Sequence, residues 1–213
     1  SQVCSSVYDA TPVFKNELVN KHRISASIHT AKRNYFKALA NSWDKENLGF
    51  EEAKFPPEKT IYLSLLKENG ISPIRENSFA VPTIDKHSSF NKLWKASEKF
   101  IESAKSEQKN ISDFVALLSK RPLKLKQGLI DFWIPTFLFI RRDDFAIFNA
   151  DGYIPTLSDE NLELIAKNPE SYSIKTFDIE GVKLDIFNSY RTFLNQSTEL
   201  KFDNNSFIET IKP

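Results

Sequence analysis

The sequence predicts a mostly α-helical protein with one small β-hairpin, which places it in the α+β class. Apolar residues recur at helical spacing in several stretches, for example at Ile24, Ile28 and Ala31. An Asp151-Gly152 pair lies between two short apolar runs, a pattern typical of a β-hairpin. Prolines, glycines and capping residues divide the rest of the chain into segments of helical length.

The N-terminal half is predicted to hold four helices separated by loops. A Pro-Pro pair starts the third helix, because proline is tolerated in a first turn, and Gly70 provides the expected stop. Residues 72–87 show little periodicity, which predicts a long loop with a short strand near Ser78–Val81 and a subdomain boundary. The predicted helices are Phe14–Asn20, Ile24–Ser42, Glu58–Asn69 and Phe90–Ser106.

The C-terminal half begins with a helix that Asn110 can cap. A basic loop, Lys120–Lys126, leads into a helix that is apolar nearly all round, in which Pro135 is expected to cause a kink or an early end. Ser158 can cap the helix that follows the hairpin. The predicted elements are helices Ile111–Ser119, Gln127–Ile140, Asp159–Lys167 and Val182–Leu194, a hairpin of Phe145–Phe148 with Tyr153–Pro155, and a strand over Tyr172–Asp178.

The order of elements from Ile111 to Leu157 is a helix, a turn, a buried helix and a β-hairpin. That order makes a winged-helix-like arrangement, although many α+β modules share it. The prediction is therefore a helical subdomain over residues 1–107, a winged-helix-like subdomain over residues 108–180, and a C-terminal helix and tail over residues 181–213.

Composition narrows the class of protein. The 18 phenylalanines predict a Phe-rich core, and a net charge of +1 gives no global drive toward nucleic acid or membrane.

The single cysteine, Cys4, cannot form an intrachain disulfide, which favours a reducing, cytoplasmic location. The longest apolar run, Leu129–Ile140, is interrupted by Asp131 and is too short to span a bilayer, so no membrane contact is expected. The sequence has no methionine, which predicts a segment of a longer protein or the omission of modified methionines.

Motifs for catalysis, cofactors and metals are missing from the sequence. No GxxxxGK[ST] loop is present, and the five glycines are dispersed rather than clustered. His22 and His29 lie two helical turns apart, too far to share one metal, and no CxxC or HExxH pattern supports a site. The carboxylate pairs Asp143-Asp144 and Asp159-Glu160 are expected to be solvated. We therefore predict no catalytic residue, no cofactor and no metal ligand, and expect this segment not to be an enzyme.

Charge is unevenly distributed despite the neutral total. Residues 15–42 and residues 120–142 each carry a net charge of +5, and residues 143–170 carry −6. One interpretation is phosphate contact by the basic loop and the helix after it. The favoured alternative is that the basic residues form a solvated face and pair with the acidic stretch within the protein or between domains. The helix Gln127–Ile140 favours this alternative because it offers few side chains that read bases. The candidate DNA-binding residues are Lys120, Arg121, Lys124, Lys126, Arg141 and Arg142.

Several motifs resemble a family of large bacterial ATP-binding proteins encoded in phage-defence loci, similar to the P-loop ATPase of bacteriophage-exclusion systems. That family has a loop-helix P-x-G-L-x-x-G-x-I-P, an apolar helix, a hairpin A-L-Y-x-D-G-x-F-V-P-x-L and a helix ending in N-P-E. The resemblance extends from Thr11 to about Tyr172, with departures at Lys124, where the family has glycine, and at Asp131 and Pro135. The matching residues are Pro122, Leu125, Gly128, Ile130, Ala146, Asp151, Gly152, Pro155, Leu157, Asn168, Pro169 and Glu170.

The resemblance implies a winged-helix-like module outside the ATPase core, with nucleotide-binding residues elsewhere in the parent protein. Our first hypothesis is a non-catalytic interaction module that contacts other domains or defence proteins through Phe-rich faces, with DNA as a further candidate partner through Lys120–Lys126. The second is a stand-alone winged-helix regulator that binds DNA. The third is an enzyme whose scattered residues no sequence motif reveals.

Overall fold

A computed structural model describes residues 11–71 and 84–176. Three 3₁₀-helices, Glu46–Gly49, Lys67–Asn69 and Pro169–Ser171, accompany the α-helices in these ranges. The α-helices are α1 (Ala26–Asn41), α2 (Pro57–Leu65), α3 (Asn91–Ser103), α4 (Ile111–Ser119), α5 (Gln127–Ile140) and α6 (Asp159–Lys167).

Four short strands form one antiparallel sheet in the order β1-β4-β2-β3. The strands are β1 (Lys109–Asn110), β2 (Ala146–Asn149), β3 (Gly152–Ile154) and β4 (Ser173–Lys175). Strands β2 and β3 form the predicted hairpin, in which Phe148 lies opposite Tyr153 with ring centroids 5.8 Å apart. The described part is thus mostly helical with a small antiparallel sheet, so the predicted α+β class is confirmed.

Local capping fixes the helix starts in the C-terminal half. The Asn110 side chain accepts a hydrogen bond from the Ser112 amide at 2.8 Å, and the Ser158 hydroxyl accepts one from the Asn161 amide at 3.2 Å. Such bonds satisfy amides that have no partner within the helix. Gly70, with φ of 73°, follows the 3₁₀-helix after α2 in the left-handed conformation expected of a stop. The bounds predicted for α4, α5 and α6 are confirmed.

Several predicted elements need correction. The helix expected at Phe14–Asn20 is absent, and turns and bends occupy residues 17–23 instead. Phe14 and Val19 are buried, so this segment meets the core through its side chains while its backbone bends toward α5. Of the two outcomes expected at Pro135, a kink or an early end, the early end does not occur, since α5 continues to Ile140. Helices α1, α2 and α3 are shorter than predicted.

The sheet extends beyond the predicted hairpin. Strand β4 lies within the predicted stretch Tyr172–Asp178, but it pairs with β2 and with β1, which the sequence did not predict. Because β1 precedes α4 and β4 follows α6, the pairing joins distant parts of the chain. The strand predicted at Ser78–Val81, the helix predicted at Val182–Leu194 and Cys4 lie outside the described residues.

Helix α5 lies at the centre of one continuous hydrophobic core. Phe132, Trp133 and Phe137 are fully buried, and Trp133 donates a hydrogen bond from Nε1 to the Ser97 hydroxyl at 2.9 Å. Residues on both sides of position 108 belong to the same cluster of buried side chains. Nine described phenylalanines are buried, which confirms the Phe-rich core; they are Phe14, Phe36, Phe90, Phe100, Phe114, Phe132, Phe137, Phe139 and Phe145.

Candidate functional site

The helix that follows the basic loop has almost no free surface. All residues of α5 except Gln127 and Asp131 are buried. The polar groups of α5 also bond internally: the Gln127 amide donates to Asp131 at 2.7 Å, and the buried Thr136 hydroxyl donates to the Phe132 carbonyl at 2.6 Å. A helix that enters a DNA groove needs an exposed polar face, and α5 does not present one.

The basic loop before α5 is held in place by its leucines. Leu123 and Leu125 are buried, and the Leu125 amide donates to the Leu118 carbonyl at 2.9 Å. Lys124 has φ of 49°, a left-handed conformation that glycine adopts more easily. With the apolar residues turned inward, Lys120, Arg121 and Lys126 are exposed and Lys124 is half-buried.

A second basic segment lies against the first turn of α5. The Gly128 amide donates to the Lys21 carbonyl at 2.8 Å, and the Lys126 ammonium donates to the Asn20 carbonyl at 3.2 Å. Lys21, His22 and Arg23 are exposed at this junction. The structure therefore joins two basic stretches that are about a hundred residues apart in sequence.

Sequence reasoning missed this junction, but Gly128 was a signal for it. A Cβ at Gly128 would lie 2.3 Å from the Val19 carbonyl oxygen and 2.7 Å from that of Lys21. A glycine among the large residues of an apolar helix indicates a close approach of another backbone. The sequence does not reveal which backbone that is.

The other two candidate cations lie at the far end of α5. A 14-residue helix is roughly 20 Å long, so Arg141 and Arg142 are separated from the loop by that distance. Arg141 forms an ion pair with Glu98 at 2.7 Å and another with Asp144. Arg142 donates to the Phe139 carbonyl at 2.8 Å. The structure thus brings together four of the six candidate residues and leaves these two elsewhere.

A groove of about 440 Å³ lies near Arg142, between the C-terminal ends of α1 and α5 and the hairpin. Trp43, Phe139 and Tyr153 contribute aromatic walls, and Asp44 and Arg142 add opposite charges. The guanidinium of Arg142 lies 4.4 Å from the centroid of the Phe139 ring. This mixed lining indicates no single ligand chemistry.

Ionisable groups meet between α1, α5 and α6. Burial lowers the pKa of Lys32, while the charges of Asp131 and Glu163 oppose that shift. Burial raises the pKa of Asp131, and the hydrogen bond from Gln127 and the charge of Lys32 act against it. For both Lys32 and Asp131, burial is the larger cause of the pKa shift and the attraction between their charges is the smaller one.

Asp131→Asn is expected to stabilise the protein at neutral pH. A carboxyl whose folded-state pKa is raised disfavours the folded state once it ionises, and this penalty disappears as pH falls below its unfolded pKa. Asparagine keeps an oxygen for Gln127 and carries no charge. Urea unfolding from pH 7 to pH 3.5 should show a gain in the free energy of unfolding that shrinks as pH falls. A loss of stability at pH 7 would contradict this.

The histidines and carboxylate pairs show no catalytic arrangement in the described ranges. His22 and His29 are exposed, and Asp159 and Glu160 lie in the first turn of α6. Across residues 11–71 and 84–176, no group of three His, Cys, Asp or Glu side chains could hold a metal ion. No helix in this part of the chain is long and apolar enough to cross a membrane.

No protein-family model, curated protein or solved structure matches this chain. A functional proposal therefore depends on the surfaces and contacts described above and on the resemblance of the sequence motifs.

Proposed function

We propose that this chain is a non-catalytic interaction module of a larger bacterial ATPase that acts in phage defence. The observation that supports this most is the use of α5 as interior scaffold, with its polar side chains bonded within the protein. The resemblance of the sequence to ATP-binding proteins of phage-defence loci supplies the parent class. In this proposal, nucleotide binding belongs to another part of the same polypeptide.

Residues 108–180 are proposed to act as a winged-helix-like subdomain. The order α4, basic loop, α5 and the β2–β3 hairpin supports that arrangement. Strand β4 departs from the predicted winged-helix-like order of elements, because it lies between β1 and β2 in the sheet. In this arrangement the buried α5 supports the subdomain from inside. The loops and the outer helices α4 and α6 would then make the contacts with partners.

The sequence suggested that Phe-rich faces contact other proteins. The structure does not support this, because most of the described phenylalanines are buried. Among the described phenylalanines only Phe55 is exposed, at 66%. The outer surfaces of α4 and α6 instead expose Leu117 and Leu164. These helices are therefore the proposed surfaces for other domains of the parent protein or for defence proteins.

Two measurements test the proposed function. The gene that encodes this segment is expected to encode a GxxxxGK[ST] loop in the same reading frame, outside these 213 residues. The purified chain is expected to release phosphate from Mg-ATP no faster than buffer alone. A reading frame without the loop, or ATP hydrolysis by the 213-residue chain itself, would refute the proposal.

The alternative is a stand-alone winged-helix regulator that reads a DNA sequence, and the exposed basic loop favours it. A regulator of this kind would give a gel shift that survives competitor DNA of unrelated sequence. Loss of that shift in Lys124→Ala and Lys126→Ala variants would locate its site. A shift that competitor DNA abolishes would instead favour the interaction module.

A further inference from the structure

We propose that residues 20–25 and 120–127 together form a composite basic surface that binds the phosphate backbone of duplex nucleic acid without reading its sequence. This inference rests on the proposed role as an interaction module. It identifies the surface through which the module would contact nucleic acid.

Direct hydrogen bonds join the two halves of the composite basic surface. The Lys21 carbonyl accepts from the Gly128 amide at 2.8 Å, and the Asn20 carbonyl accepts from the Lys126 ammonium at 3.2 Å. Both halves therefore lie at the N-terminal end of α5. Because α5 is anchored in the core, the surface is held in place before any partner binds.

Charge on this surface is of one sign. Residues 120–127 contain four lysines and arginines, residues 20–25 contain two, and neither stretch contains an aspartate or glutamate. Lys21, Arg23, Lys120 and Arg121 are exposed. Six cations in two stretches that meet at the start of α5 attract a polyanion by releasing its counterions. The nearest acids are Glu17, which precedes the first stretch, and Asp131, which accepts a hydrogen bond from Gln127 at the end of the second.

The side chains of this surface fit phosphate better than a protein partner. Protein interfaces depend on apolar or aromatic anchors at their centre and are depleted in lysine. Here the leucines of the loop are turned into the core, where Leu123 is 3% exposed and Leu125 is 6% exposed. What remains outside is mainly cationic, which favours a partner with closely spaced negative charges.

Two further features favour a duplex bound without sequence preference. Base reading requires an element that carries side chains into a groove, and α5, the helix beside this surface, is buried apart from Gln127 and Asp131, which bond to each other at 2.7 Å. Single strands are held by aromatic side chains that stack on bases, and residues 20–25 and 120–127 contain no Phe, Tyr or Trp. Contact with the phosphates of a duplex requires neither feature.

Fluorescence anisotropy with a labelled 20-base-pair DNA of random sequence tests the proposal on the 213-residue chain. Two double variants, Lys21→Ala with Arg23→Ala and Lys120→Ala with Arg121→Ala, each remove two cations from one half. Each is expected to weaken binding roughly tenfold at low salt and to reduce the slope of log affinity against log salt by about 2. Lys126 is left intact because its ammonium holds residue 20.

The matched control is Lys95→Ala with Lys99→Ala, which removes the same charge from exposed positions on α3. It should leave DNA affinity within about twofold of the parent chain. All three variants should keep the thermal unfolding midpoint, which separates loss of binding from loss of structure. Equal effects of all three pairs would contradict the composite surface, as would an affinity that does not depend on salt.

Competitors decide between partner classes. Polyglutamate of equal charge and single-stranded DNA should both displace the duplex less well than unlabelled duplex does. Better displacement by polyglutamate would assign the surface to an acidic protein, and better displacement by the single strand would assign it to unpaired nucleic acid; either result overturns the proposal. Neither result involves ATP hydrolysis or the P-loop, so failure here is distinguishable from failure of the proposed function.

Discussion

Gly128→Ala is expected to destabilise the protein by about 3 kcal/mol, at the upper end of the usual cost of overpacking. In an ordinary helix this change would add up to about 1 kcal/mol of stability, because alanine favours helix. Here the new methyl group would lie 2.3 Å from the Val19 carbonyl oxygen and 2.7 Å from that of Lys21. Both contacts are with backbone, which cannot rotate away, so the clash outweighs the gain. Urea unfolding measures the difference.

Gly152→Ala is the matched control for Gly128. A Cβ at Gly152 would meet no atom within 4 Å, and its only penalty is the φ of 113°. That strain should cost about 1–2 kcal/mol and leave DNA binding unchanged. Gly128→Ala should also weaken DNA binding, because it pushes residues 19–24 away from the basic loop. Equal stability losses at the two glycines would contradict the close approach at α5.

Trp133→Ala is expected to cost about 3–5 kcal/mol, the usual range for a large aromatic side chain lost from a core. The indole of Trp133 is fully buried and contacts the rings of Phe90, Trp94 and Phe137. Its Nε1 also donates to the Ser97 hydroxyl at 2.9 Å. Chemical unfolding, followed by circular dichroism, measures the loss.

Trp43→Ala removes the same side chain from a half-buried position beside Phe139 and should cost only about 1–2 kcal/mol. If Trp133→Ala does not fold, Trp133→Phe provides the measurement, with an expected loss of roughly 1–2 kcal/mol for the missing volume and hydrogen bond. A loss at Trp133 no larger than that at Trp43 would show that α5 is not central to the core.

Local signals were sufficient to predict the helices of the C-terminal half. Asn110 and Ser158 cap helices in the structure as the sequence indicates, and the apolar pattern of residues 127–140 gives the bounds of α5. The two caps depend on residues within one turn of the helix start, and the apolar pattern depends on residues of α5 alone. The apolar pattern outweighs the local signal of Pro135, because α5 continues past this proline to Ile140.

Long-range contacts account for what the sequence did not predict. The segment Phe14–Asn20 was predicted to be a helix, but its backbone bonds to itself in turns, and the Asn20 carbonyl accepts from Lys126 at the start of α5. The pairing of β1 with β4 joins residues more than sixty positions apart. In the candidate site, the cations of the loop were predicted, but their neighbours Lys21 and Arg23 were not, because only the folded chain brings them there.

Hydrogen–deuterium exchange of the 213-residue chain, with and without duplex DNA, tests most directly whether α5 is interior scaffold beneath a basic surface. The amides of residues 129–140 should exchange among the slowest of the described chain, with or without DNA, because they open only when the core unfolds. Added DNA should slow exchange in residues 20–25 and 120–127. Two results would contradict α5 as interior scaffold. One is fast exchange of residues 129–140 in the free protein, and the other is slow exchange of these residues only when DNA is added.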